Sequence, residues 1–206
     1  MTEPSTLQPR SFRFGLRSLF AGVAIFAVLV ALPTWYYRYM FPYGRDHCCD
    51  KAIGLALISY ADANGGRFPS GGDTPEASLS LLYPAYLDAS ELRGKTFPED
   101  AAAQLLKSGK PLTPDTCGWQ YVDGLTMPKW GSSGIAIFWD KIGLGHNGER
   151  SPHGGHSVTF MDAHGQVISE ADWPRFIAEQ QKAWNVIRQG GQPTEVPWNP
   201  EDRMSN

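Results

Sequence analysis

The stretch from His153 to Val167, "HGGHSVTFMDAHGQV", places three histidines and an aspartate within fifteen residues. Imidazole nitrogens and carboxylate oxygens are the donors of zinc and iron sites, which need three or four such groups converging at about 2.0 to 2.2 Å. His153 and His156 stand three apart, a spacing that suits two ligands on a helix or a turn. With His146 and Asp162 they make a four-ligand set that would serve a metal-dependent hydrolase. Against this, glycines at 145, 148, 154 and 155 leave the ligand-bearing loop poorly preorganised, and the spacing matches no motif with a defined mechanism. The structural alternative is that Asp162 caps a turn with its carboxylate and His164 faces solvent from that turn. The spacing favours the structural alternative, so no catalytic residue, metal or cofactor is expected.

Other chemistry is less supported still. Ser157 follows His156 but lacks a Gly-x-Ser-x-Gly setting, and Cys117 has no local partner to lower its pKa. Asp140 and Asp162 could form a carboxylate pair only if "GIAIFWD" and "SVTFMD" were neighbouring strands. No phosphate-cradling glycine loop is present. With a net charge of −3 there is no basic footprint for nucleic acid. Trp119, Trp130 and Trp139 therefore read as core residues and not as a stacking platform.

The elements that would position these groups lie after Gly109. "GWQYV", "GIAIFW", "SVTFM" and "QVIS" are short, β-branched or aromatic, and bounded by turn residues. "DAHG" joins the last two as a tight hairpin, with Gly165 free to take positive φ. A helix follows from Glu170 to Arg188, carrying Trp173, Phe176, Ile177 and Trp184 inward. Before Gly109, a helix over residues 47–63 puts Cys49, Ile53, Ala56 and Tyr60 on one face, and Asn64-Gly65-Gly66 stops it. Thr74-Pro75 is a helix start, with Thr74 as N-cap, and Leu79, Leu82 and Tyr83 turn inward. A short helix spans Pro98 to Lys107 and ends at Gly109. The tail from residue 189 to 206 has no periodicity and reads as disordered.

The N-terminus adds a different element. Twenty uncharged residues, "SLFAGVAIFAVLVALPTWYY", separate Arg17 from Arg38. As a helix they span about 30 Å, the thickness of a bilayer's hydrocarbon core. Arg10, Arg13 and Arg17 precede them, and Trp35, Tyr36, Tyr37 and Tyr39 supply an interfacial aromatic belt. A cleaved signal peptide is the alternative, because the strictly apolar part, Leu19 to Leu32, is short. Its exit, Ala31-Leu32-Pro33, offers only one of the two small residues that a signal peptidase needs. The expected organisation is a cytoplasmic disordered segment (1–17), a transmembrane helix (18–37) broken or kinked by Pro33 and Pro42, an extracytoplasmic domain (46–188) and a tail (189–206). If the domain lies outside the cytoplasm, Cys49 is the expected disulfide partner of Cys117, closing a loop whose restraint is worth about 4 kcal/mol. Otherwise all three cysteines are reduced and Cys49 is a small core hydrophobe.

Taken in order, these segments resemble the type IV pilin-like family, especially the major pseudopilin of type II secretion and its membrane-anchored relatives. The resemblance rests on "RFGLRSLF" before the apolar helix, Pro33 late within it, "KAIGLALISYADANGGRFP", and the C-terminal "FWDK…H…GGHSVTFMDAHGQV". It implies an α+β fold: an N-terminal membrane helix continuing as a stalk, with a small antiparallel sheet packed on its exposed half. It also implies a non-catalytic structural role at a membrane, with other pilin-like subunits or secretion components as partners. Pseudopilins carry a glutamate five residues after the glycine at which they are cut, and Phe20 stands fifth after Gly15. They also hold calcium in a C-terminal loop, whereas Asp123, Asp140 and Glu149 are scattered here. A membrane-anchored relative fits these departures better than a filament subunit.

Overall fold

The computed structural model describes residues 15–45, 50–97, 99–127, 134–145, 147–151, 154–193 and 198. The chain divides into two compact units, Met1–Met40 and Phe41–Asn206. In the first, α1 (Leu16–Met40) is a 25-residue helix none of whose residues is buried. It is long and apolar enough to cross a membrane, a test that a signal sequence also passes. Pro33 does not end it. A proline removes one intrahelical hydrogen bond, to the carbonyl four residues earlier, and apolar helices tolerate that loss. The break comes later: Phe41 to Arg45 are not helical, so α1 does not continue as an uninterrupted stalk.

The second unit is α+β. Its sheet is an antiparallel meander in the order β1-β2-β3-β4: β1 (Trp119–Tyr121), β2 (Ala136–Asp140), β3 (His156–Phe160) and β4 (Gly165–Ile168). All four fall on the segments read as strands, to within one residue at each overrun: β2 extends to Asp140, β3 starts at His156 and β4 at Gly165. α2 (Asp50–Ala63) covers one face. Gly54 meets Thr159 and Ala163 there, and the Ser157 hydroxyl donates to Asp50 Oδ2 at 2.9 Å. Smaller elements complete the unit: α3 (Pro75–Leu79), a 3-10 turn (Ser80–Leu82), α4 (Ala89–Leu92) and α5 (Glu99–Lys107). Thr74 caps α3 as expected, its hydroxyl accepting from the Ala77 amide at 3.2 Å. The helix read from Thr74 toward Tyr83 ends as the 3-10 turn, and α4, a single turn of four residues, was not legible.

α6 (Trp173–Arg188) covers the opposite face of the sheet. It starts three residues later than the composition suggests, because Glu170 to Asp172 form a turn and Pro174 sits in the first helical turn. Trp139 stacks on Trp184 at 5.7 Å between ring centroids, and Phe160 meets Phe176 edge-on at 6.2 Å. Gln180, wholly buried, acts as a strand substitute: its Oε1 accepts from Ala136 N at 2.9 Å and its Nε2 donates to Gly134 O at 2.8 Å. A sheet whose two faces are both covered needs large apolar residues on both, which explains the unbroken burial along "AIFWD".

The tail departs from expectation. Pro193 and Trp198 are buried, and the Trp198 ring meets Phe176 edge-on at 4.9 Å. One bulky indole can dock a segment that lacks any periodicity, because burying its large apolar surface does not require a regular element.

Candidate functional site

The hydrogen-bonding pattern of the β3–β4 turn decides the fate of Asp162 and His164. Phe160 N–H donates to His164 O at 3.0 Å and Ala163 N–H to Phe160 O at 2.9 Å, leaving a loop of Met161, Asp162 and Ala163. Hairpin loops of this length place a left-handed residue at their third position. That residue is Ala163, at φ 63°, and not Gly165, which already belongs to β4. Asp162 caps the turn: its Oδ1 accepts from the His164 amide at 3.2 Å and from His164 Nδ1 at 2.6 Å. His164 is half-exposed, and its ring lies flat on Phe160 at 4.3 Å. It is thus a packed turn residue, more enclosed than a solvent-facing one.

His156 opens the same strand at its other end, and there it meets Asp140. The antiparallel register pairs Trp139 with Val158, so the last residue of β2 lies beside the first residues of β3. His156 Nδ1 lies 3.1 Å from both Asp140 Oδ1 and the Asp140 main-chain O. Both of those atoms are acceptors, so Nδ1 carries the hydrogen and Nε2 is the nitrogen that titrates. The ring stacks on Trp173 at 4.1 Å. Asp140 is 4% exposed, and its second oxygen accepts from the Leu144 amide at 3.0 Å.

The two groups perturb one another. Burial pushes the Asp140 carboxyl up from its ordinary value, against the lowering effect of His156, the Leu144 amide and the Lys95 charge. The hydrogen bond to Asp140 raises His156 above its ordinary value, although burial opposes it. Such a pair can fix an imidazole tautomer and hold a charge. For nucleophilic chemistry it lacks a partner in Ser157, which neighbours His156 on the strand and so projects to the opposite face, toward Asp50.

Of the alternative ligand set, His156 and Asp162 are not brought together. β3 runs about 13 Å from His156 to Phe160, with Asp162 beyond, whereas two ligand atoms on one ion lie within about 4 Å of each other. His156 is engaged with Asp140 and Asp162 with His164. His146 and His153 lie outside the described residues. Among the described residues, no group of three or more His, Cys, Asp or Glu could hold a metal ion. The same register separates the suggested carboxylate pair: β2 and β3 are neighbours, but antiparallel pairing leaves Asp140 and Asp162 at opposite ends.

Cys117 is a free, buried thiol. Its Sγ donates to Leu92 O at 3.2 Å, and burial pushes its pKa up to about 12. It packs in the core, while Cys49, its suggested disulfide partner, lies outside the described residues, as does Trp130. Nearby, Glu76 and Lys141 form an ion pair at 2.5 Å that joins α3 to the end of β2. The Lys95 ammonium, 5.4 Å from the Trp119 ring centroid, is buried without a hydrogen-bond partner. Sequence reasoning missed Asp140 as the partner of His156, since sixteen residues separate them and only the strand register joins them. No family model, no curated protein and no solved structure matches this chain.

Proposed function

We propose that the chain is a membrane-anchored, non-catalytic structural or interaction protein of pilin-like kind. α1 holds it in the bilayer, and the α+β unit stands outside the cytoplasm. The observation that carries this reading is α1 itself: 25 residues, strongly apolar, with none of them buried. In water so much exposed apolar surface is unfavourable at about 25 cal/mol per Å², and a bilayer removes that cost. The stacked pair Trp35 and Tyr39 near the helix end suits an interfacial belt. The α+β unit has its own core, so the anchor has a domain to carry. The basic residues before α1 and the pilin-like order of segments favour a cytoplasmic N-terminus, and they suggest pilin-like subunits or secretion components as partners. An anchored metal-dependent hydrolase, the competing reading, gains no support from His156 and Asp162, which stand at opposite ends of β3.

The test is to express the full chain, fractionate the cells and sequence the N-terminus of the product. Retention in the membrane with α1 intact is expected. A soluble product beginning near Thr34 would show that α1 is a signal peptide. Protease digestion of intact spheroplasts should degrade the domain, and protection of the domain would overturn the orientation.

A further inference from the structure

One carboxylate fastens both roots of the β2–β3 connection, residues 141–155. At the outgoing root, the Leu144 amide donates to Asp140 Oδ2 at 3.0 Å. At the returning root, His156 Nδ1–H donates to Asp140 Oδ1 at 3.1 Å. The two roots are also in backbone contact: a Cβ on Gly143 would lie 2.8 Å from the carbonyl oxygens of Gly154 and Gly155. Between the roots, Leu144 and Arg150 form an isolated bridge, and the Gly155 amide donates to the Ser151 hydroxyl at 3.2 Å. Among the described residues the two ends of the connection are thus joined through Asp140, while Lys141 at the outgoing root is separately paired with Glu76.

We propose that the charge on His156 sets how tightly the two ends of the β2–β3 connection, 141–145 and 154–155, are held to the sheet: fastened while the ring is protonated, loosened once it is neutral. A neutral ring still donates from Nδ1, but a charge-assisted hydrogen bond is about twice as strong as a neutral one. The charged groups acting on the pair come from each neighbouring element. Asp140 belongs to β2, Lys95 acts on it from the connection between α4 and α5, and Glu170 acts on His156 from the turn before α6. α6 contributes the uncharged Trp173, stacked on the ring, and β4 places Ile168 opposite His156.

The sign follows from linkage. In the fastened loop the ring's pKa is raised, first by its hydrogen bond to Asp140, and a ring released into water returns to about 6.5. The proton therefore binds the fastened form more tightly. Fastening is complete below about pH 6.5 and is lost as pH rises through the raised pKa of the paired ring. Asp140, raised by burial, carries the same sign in its own range: protonation favours the buried form.

Hydrogen exchange on the full chain in detergent, from about pH 5.5 to 8.5, tests the proposal directly. After correction for intrinsic exchange rates, protection of the Leu144 and Gly155 amides should fall with rising pH. The fall should be about tenfold for each unit by which the paired ring's pKa exceeds that of the free ring. The Val122 amide, bonded to Ile137 O within the β1–β2 region, should not follow. His156→Gln should make the loop's protection independent of pH. Constant protection at Leu144, or an equal fall at Val122, would overturn the proposal. If the variant fails to fold, an NMR titration of His156 in the unsubstituted chain decides, since a ring titrating at or below the ordinary histidine value would also overturn it.

Discussion

Ala163 holds its left-handed conformation with its methyl group against Gly54, so that the β3–β4 turn and α2 meet where one of them has no side chain. A Cβ built on Gly54 would lie 3.0 Å from the Ala163 Cβ and 3.1 Å from Thr159 Cγ2. Both atoms are in packed surroundings, Ala163 being 8% and Thr159 2% exposed. The contact explains why a non-glycine residue is kept at φ 63°. Left-handed backbone costs an alanine roughly 1–2 kcal/mol, and burial of the methyl offsets about 0.8 kcal/mol of that.

Gly54→Ala should therefore destabilise the α+β unit by about 1–3 kcal/mol, the usual cost of adding a methylene to a packed site. Ala163→Gly, which relaxes the backbone but loses the methyl contact, should be near neutral alone and should recover much of the loss when combined with Gly54→Ala. Denaturant unfolding of the four chains measures both effects. Additive single effects would show that the two residues are not in contact.

Gln180 offers a second measurement. Gln180→Leu keeps the volume but leaves the Ala136 N–H and Gly134 C=O without their partner. A buried polar group deprived of its hydrogen bond costs about 1–3 kcal/mol, so a total loss of about 2–6 kcal/mol is expected. A loss below about 1 kcal/mol would mean that these backbone groups find other partners.

Trp198→Ala separates a docked tail from a disordered one. Removing a buried tryptophan costs about 3–5 kcal/mol, and the substitution should also speed proteolytic trimming of the C-terminus. Unchanged melting and trimming would place the indole outside the core.

Cys117 should resist alkylation at pH 8 in the folded chain, because its pKa is pushed up to about 12 and the thiol is buried. Thiolate is the reactive form, so labelling should appear only with denaturant. Peptide mapping that finds Cys117 crosslinked would refute the free-thiol assignment.

Much of this fold could be read locally. Four strands, the two long helices of the domain, the Thr74 cap and the apolarity of α1 all follow from short-range properties: alternation, helical spacing, capping and hydropathy. Each depends on residues within about a turn of one another, and the chain alone contains that information. The turn was half legible. Asp162 as a cap was plain, but the left-handed position depends on where the strand pairing stops, and counting back from Gly165 misplaced it by two residues.

What the tertiary structure decided is who meets whom. His156 could be grouped with His146, His153 and Asp162 by nearness in sequence, yet antiparallel pairing carries Asp162 to the far end of β3 and brings Asp140 alongside. Trp198 lies in a segment without periodicity and still packs on Phe176, because burial rewards apolar area wherever the chain can deliver it. Strand pairing and the docking of the tail bring together residues far apart along the chain. That information resides in the register, which a one-residue shift would invert, and not in any local pattern.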